Sequence, residues 1–514
     1  MPRKVLTLTL CTVFLIASSL AATDNAPPEP PSPATDGTLP ALTSIAGRGM
    51  MDSHAYDYLA ELSDDIGGRV TGTPAAARAI EWGQAKMKAI GLQNVHTEKW
   101  QLSRGWTRVS AGAELLSPVR RRLIVDSMGW VGSTPSGGVE ADVVAVNGYD
   151  LDNEVKQNAS RWNGKVLLIV HKGEPPKERE ELFGKFGLFL KAAYDARAVG
   201  VIGGQGGGKS AGMLLTHTGG LGFNTFYDIP VVSMAGEDQE QLERFLNRGK
   251  TPRIKIDVQN RASDGPVDSA NVVGEIPGTE HPEQVIVVGG HLDSWDLAEG
   301  STDDGTGTAS VLGAAEAIVS SGYKPRRTIR FVLFTGEEQG LLGSLAYVKT
   351  HRDEMANHLG DIILDFGQGP VIGLSLGGRD DLVPAVKKFT ESVKAFGGLK
   401  VDDKVIFGTD TGPFTLAGLP GINLDQESPE YKFTHHSAAD TLDKVKPEIL
   451  TQNATLMALT AFWIADRPER LCTPWSPEQT AKMLVKRKQD RILKTFGLWP
   501  FGDLGGEEKK TTGQ

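Results

Sequence analysis

Five positions in the second half of the chain carry residue types that can hold metal ions and activate water. They are His291, Asp303, the adjacent pair Glu337 and Glu338, Asp365 and His436. The set supplies three metal-binding carboxylates, two imidazoles and one carboxylate to spare. That is what a bridged dinuclear centre needs to generate a nucleophilic water.

Each position has an ordinary reading beside the chemical one. His291 and Asp293 are two residues apart, so on an extended strand they share a face, and the Asp293 carboxylate can accept the second imidazole N–H. A hydrogen-bonded histidine at a strand end would look the same. Asp303 precedes a helix, where an acidic residue also serves as N-cap, but its two oxygens can bridge two cations. Glu337 and Glu338 follow an apolar run; paired carboxylates there repel unless cations or protons compensate, and one can bind metal while the other moves a proton. Asp365 ends another apolar run, and His435–His436 holds two of only ten histidines. Oxygen and nitrogen donors without thiolate point to Zn²⁺, with Co²⁺ or Mn²⁺ as substitutes.

These residues need a scaffold that delivers them together. Residues 284–289 are a continuous β-branched run, as in a strand covered on both faces. Residues 309–319 have helical periodicity, and 328–334 and 361–364 read as further strands. Strand–helix alternation predicts an α/β fold with a mixed sheet, parallel central strands and flanking helices, its site at the strands' carboxyl ends. Residues 50–100 read as mostly helical, with one helix over 75–90. Between 130 and 255 short strands at 143–146, 165–170, 199–202 and 230–233, with a helix over 192–198, describe an inserted β-rich domain.

Bulk properties set the class. A chain of 514 residues exceeds one core, and a formal charge of −10 argues against nucleic-acid binding. Residues 1–21 read as a signal peptide, with Arg3 and Lys4 before an apolar run, and 22–48 as a disordered leader. The expected product is exported, periplasmic or secreted, and not membrane-bound after cleavage. Cys11 lies in that signal, which leaves Cys472 alone and no internal disulfide.

The ordered set resembles the M28 metallopeptidase family. GGHLDSWD (289–296), the DDG and HHS motifs that follow, and GRVTGTP (68–74) are similar to its plasma glutamate carboxypeptidase-type dipeptidases. The resemblance implies a zinc-exopeptidase fold in two pieces, 49–129 and 256–467. A protease-associated-like insertion at 130–255 and an extension at 468–514 complete it. It implies two Zn²⁺, one on His291 and Asp365, the other on Glu338 and His436, with Asp303 bridging and Glu337 as general base. His435 stands where many relatives carry tyrosine, so it takes the oxyanion-donor role or that role is absent. Small peptides with a free N-terminus are the implied substrates, for a dipeptidase or aminopeptidase, and a homodimer is the implied assembly. Asp410 and Tyr431 are candidate pocket residues or structural ones.

Three other readings remain. Residues 203–210 match a phosphate-binding G-x4-G-K-S pattern, but the glycines that follow are poor helix formers. A silent binding module would have lost a ligand or Glu337, and neither is missing. A single-zinc glutaminyl cyclase-like transferase is separated by metal stoichiometry. Residues 468–514 read as a solvated basic helix and a disordered tail.

Overall fold

The computed structural model describes residues 38–176, 180–203 and 213–504. The expected signal peptide, the leader up to 37, the 204–210 part of the phosphate-loop pattern and the 505–514 tail lie outside the described residues.

The main sheet has eight strands in the order Gln93–Leu102, Val267–Ile276, Arg327–Phe334, His281–His291, His358–Ile363, Gly421–Gln426, Val371–Ser375, Lys400–Asp402. Arg327–Phe334, His281–His291, His358–Ile363 and Gly421–Gln426 are mutually parallel at its centre. Antiparallel pairings flank them on both sides. The mixed sheet with parallel central strands expected from the alternating runs is therefore present. Val285, Ile286, Val287 and Val288 are all buried, because helices cover both faces. Each such side chain contributes about 1.5–3 kcal/mol.

On one face the helix Thr306–Ser321 packs on the sheet beside Pro447–Asp466 and against Leu39–Met51 and Ala55–Ala60. Small residues permit the close approach: a Cβ on Gly313 would stand 3.0 Å from Ala55 and 3.1 Å from Ala454. Residues 39–48, expected as leader, belong to that layer. Leu42, Ile45 and Gly49 form a buried helical stripe that the proline-rich composition upstream conceals. The stretch 50–100, expected to be mostly helical, ends in an edge strand, Gln93–Leu102, whose antiparallel partner lies more than 160 residues away in sequence (Gln101↔Asp268).

The second sheet also has eight strands, in the order Arg121–Leu123, Trp106–Ser117, Arg253–Ala262, Val139–Asn147, Val166–Val170, Gly200–Ile202, Val231–Met234, Val125–Ser127. Its long strands Trp106–Ser117 and Arg253–Ala262 pair antiparallel, so the unit opens and closes outside the 130–255 limits read from sequence. The helix expected over 192–198 is Glu180–Asp195, ending earlier than that.

The C-terminal segment departs from its expected solvated state. Helices Pro477–Lys486 and Asp490–Thr495 bury Ala481, Leu484 and Leu493 in a core of their own, together with Phe501. Among the described residues no helix is long and apolar enough to cross a membrane.

The edge strand is tied to the segment behind the Glu337–Glu338 turn. Trp100 Nε1 donates to Thr335 Oγ1 at 3.1 Å, and the Glu98 carboxylate accepts from His351 Nε2 at 2.7 Å. Burial opposes the charge on His351, but its bonds to Glu98 and Glu354 raise its pKa above the ordinary 6.5. Burial also opposes the Glu98 carboxylate, which His351 nonetheless holds below 4.5. The histidine's contribution is full below its unfolded pKa and fades as pH rises through the folded value. The glutamate's is full above its unfolded pKa and fades as pH falls. Replacing His351→Gln should therefore lower the unfolding temperature most between pH 4.5 and 6.5. A deficit that does not vary with pH would show that the pair is not ionised.

Candidate active site

Four neighbouring parallel strands point their carboxyl ends at one edge, and each delivers part of the site. His291 closes His281–His291, and Glu337 and Glu338 follow Arg327–Phe334. Asp365 follows His358–Ile363, and His435 and His436 follow Gly421–Gln426 after the one-turn helix Tyr431–Thr434. Asp303 comes from the segment that leads into Thr306–Ser321.

Asp303 stands between two groups. Its Oδ1 lies 3.4 Å from His291 Nε2, which is 3.5 Å from Asp365 Oδ1 and 3.8 Å from Glu337 Oε2. Its Oδ2 lies 3.2 Å from His436 Nε2, which is 2.9 Å from Glu338 Oε2. His435 Nε2 is farther from the same oxygen, at 3.8 Å, and its ring stacks on His436 at 3.7 Å. Ligand atoms around a tetrahedral zinc with bonds of about 2.0–2.1 Å sit roughly 3.3 Å apart, so these spacings suit the ion.

The orphaned atoms agree. His291 Nδ1–H donates to the Asp293 carbonyl at 2.9 Å, which leaves the lone pair of Nε2 facing the carboxylates. That Nε2, Asp303 Oδ2 and Glu338 Oε1 are buried without a hydrogen-bond partner. Buried polar groups in this state are rare unless something else satisfies them. His291, Asp303 and Asp365 form one potential metal-holding group, and Asp303, His435 and His436 another.

The Asp293 carboxylate does not take the role expected of it. It lies 3.8 Å from His291 Nδ1 and accepts instead from Thr71 Oγ1 at 2.8 Å and the Glu337 N–H at 3.3 Å. The backbone carbonyl fixes the tautomer, and the carboxylate fixes the turn that carries Glu337. Asp303 is not the N-cap weighed for it, which is Gly305; the preceding Asp304 carboxylate accepts from the N–H groups of Gly307 and His291 at 2.8 and 3.2 Å.

Charge dominates this edge. Burial raises the carboxyl pKa values of Glu337, Glu338 and Asp365, and neighbouring carboxylates raise them further. Burial also opposes the Asp303 carboxylate, but the imidazoles of His291 and His436 beside it hold it well below the usual range. His436, despite burial, is lifted to about 10, chiefly by Glu338. An excess of negative charge is concentrated here, and it favours cations.

Residues outside the predicted set hold the geometry. Asp440 accepts from the backbone N–H groups of Thr302 and Asp303 at 2.5 and 3.3 Å. Arg69, fully buried, donates to the carbonyls of Leu292, Glu299 and Gly300 at 2.5, 2.7 and 2.8 Å, clamping the loop between His291 and Asp303. The second sheet reaches in as well. Thr218 N–H donates to the His436 carbonyl at 2.8 Å, and His217 Nδ1 bonds the His435 carbonyl at 2.7 Å. Trp295 packs edge-on to His436 at 5.9 Å, backed by Trp106 and Trp130. His436 itself is left-handed, with φ 59, a strained conformation that these contacts sustain. Arg69 and Thr71 lie in the GRVTGTP segment, but nothing in sequence shows which carbonyls an arginine will meet. Asp440 stands four residues beyond His436, and that spacing was its only signal.

A cavity of about 470 Å³ opens onto Asp303, Glu337, Glu338, Asp365, His435 and His436. Its volume is in the range of small-molecule sites. Tyr431 also lines it, whereas Asp410 sits behind the wall, bonded to Ser344 Oγ at 2.5 Å.

The profile of peptidase family M28 matches residues 271–461. Carboxypeptidase Q of Mus musculus is 30% identical over 436 residues, spanning 84% of this chain and 90% of that protein. A peptidase M28 precursor of known structure from Shewanella amazonensis is 29% identical, with TM-score 0.74, covering 86% of this chain and 99% of that one. A zinc aminopeptidase from Bacillus subtilis, 21% identical, shares the fold at TM-score 0.62, covering 82% of this chain and 97% of its own.

Replacing Asp440→Asn keeps the volume but sets an amide N–H₂ against backbone donors. Zinc affinity should fall about 10- to 100-fold, the usual effect of losing support behind a ligand. Competition against a calibrated chelator measures it. Unaltered affinity would show that Asp303 is held without Asp440.

Proposed function

The chain belongs to peptidase family M28, a family of zinc metallopeptidases, and from that premise we propose that it is an exported dinuclear zinc exopeptidase acting on small peptides with a free N-terminus. The carrying observation is the split of Asp303, one oxygen toward His291 and the other toward His436. His291 and Asp365 would hold one zinc and Glu338 and His436 the other, with Asp303 between them able to serve both. His436 is preferred to His435 as ligand because it is near both Asp303 and Glu338. When bound, the two ions supply an acidified water and a sink for negative charge at the scissile carbonyl.

Glu337 lines the cavity beside this set. It takes the proton of the attacking water and passes it to the leaving amine. Burial and the carboxylates of Asp365, Glu338 and Asp410 raise its pKa, and the cations the site would hold oppose that rise, so that it can first accept the proton and then give it up. The backbone bond to Asp293 keeps its turn in place. Tyr431 and His435 line the cavity as donors toward the developing oxyanion. Tyr431 stays protonated, since burial and the nearby carboxylates push its phenol well above the usual range.

Free-amine recognition has a charge argument behind it. Among the described lining residues there are four carboxylates and no lysine or arginine. A terminal carboxylate therefore finds no lysine or arginine among the described lining residues. Export rests on the composition of residues 1–21.

Mass-spectrometric analysis of products from unblocked dipeptides and longer peptides, with a chelated control, tests the reading. Dipeptide-only cleavage lost on chelation marks a dipeptidase; stepwise trimming marks an aminopeptidase. One zinc per chain with no cleavage would turn the reading toward a single-zinc cyclase. Glu337→Gln should retain both metals and lose turnover by at least about a hundredfold. Full activity in that variant would remove Glu337 as the base.

A further inference from the structure

Opposite its carboxylates and imidazoles, the cavity is apolar, and much of that wall comes from the C-terminal segment. Ile492, Phe496 and Leu498 line it together with Phe223, Leu341 and Phe407. Phe496 and Phe223 meet edge to face, ring centres 4.5 Å apart, and join the C-terminal segment to a loop of the second sheet unit. Phe223 in turn covers Gly340, where φ is +111 and a Cβ would run into the Phe223 ring. The glycine lets this aromatic come down directly beside the Glu337–Glu338 turn.

The wall is braced. Leu493 is buried in the C-terminal core with Ala481, Leu484 and Phe501. The helix Asp490–Thr495 also packs on Glu180–Asp195, with Gly184 close against Thr495. Three separate stretches of chain therefore converge to keep apolar side chains facing the reacting centre. Sites held this way discriminate by shape.

We propose that Phe496, with Ile492 and Phe223, forms a specificity wall. It receives an apolar side chain of the peptide beside the scissile bond and closes that end of the cavity to longer chains. This rests on the exopeptidase reading above. An apolar side chain that fills such a pocket, against one that leaves it empty, is worth about tenfold or more in kcat/KM.

The test uses the full-length zinc-loaded protein and its Phe496→Ala variant. Each is assayed on Gly-Gly, Leu-Gly, Gly-Leu and a leucine-containing tripeptide, and titrated calorimetrically with leucine and with glycine. The wall predicts that Phe496→Ala loses about tenfold or more on the favoured leucine dipeptide, with Gly-Gly within about twofold, while the tripeptide gains relative to it. Phe496→Leu should recover most of the preference. Equal loss across the panel, or an unchanged leucine preference, overturns the wall and leaves the hydrolytic reading intact. No hydrolysis by either protein, with tighter leucine than glycine binding that Phe496→Ala abolishes, upholds the wall and overturns the hydrolytic reading. No hydrolysis and no such binding preference overturns both. If Phe496→Ala does not fold, Ile492→Ala is judged on the same outcomes.

Discussion

Buried carboxylates crowded at one sheet edge are the constraint on which the rest of this structure depends. Asp303, Glu337, Glu338 and Asp365 are all withdrawn from bulk water, and two imidazoles cannot balance them. Isolated buried charges cost several kcal/mol each, so such a cluster persists only where protons or cations compensate. The fold does nothing to relieve it with lysine or arginine inside the cavity. Arg69, buried nearby, spends its donors on backbone carbonyls and so shapes the loop, while its charge acts on Asp303 from behind that loop.

Holding repelling groups in place requires supports that act through the backbone. Asp304, Asp440 and Asp293 each accept backbone N–H groups near a site residue, and so pin the chain without touching the reacting atoms. The second sheet supplies the same service to the His435–His436 turn through His217 and Thr218. That turn, with His436 in the left-handed region, is held from outside the main sheet.

The main sheet was legible because its central strands are buried on both faces. Val285 to Val288 cannot be read as anything but an apolar run, and the carboxyl-end rule then placed His291, Glu337, Glu338 and Asp365 together. The edge strand Gln93–Leu102 was misread because an edge strand has one solvated face, and its pairing is supplied by residues remote in sequence. Leu39–Met51 escaped notice since a three-residue stripe next to a proline-rich stretch is a weak signal. Asp293 illustrates a finer limit. Spacing put its carboxylate on the same face as His291, but whether carboxylate or carbonyl meets the imidazole depends on how the chain turns after the strand. The cavity wall was illegible for a similar reason, because the basic residues of the C-terminal helices sit on the face that the sequence makes conspicuous, while Leu493 and Phe501 carry the packing.

What converges on the cavity is more informative than any one element of it. The polar half is built at the ends of four adjacent strands of one sheet, together with the segment that brings in Asp303. The apolar half is built by parts that come from elsewhere in the chain: Phe223 from the second unit and Ile492 and Phe496 from the end. Chemistry and selectivity thus rest on different segments. Phe496 comes from a segment remote in sequence from Asp303 and from the residues that support it, so its substitution separates which peptide fits from the chemistry. A fold arranged this way can keep one reaction while its substrate range changes.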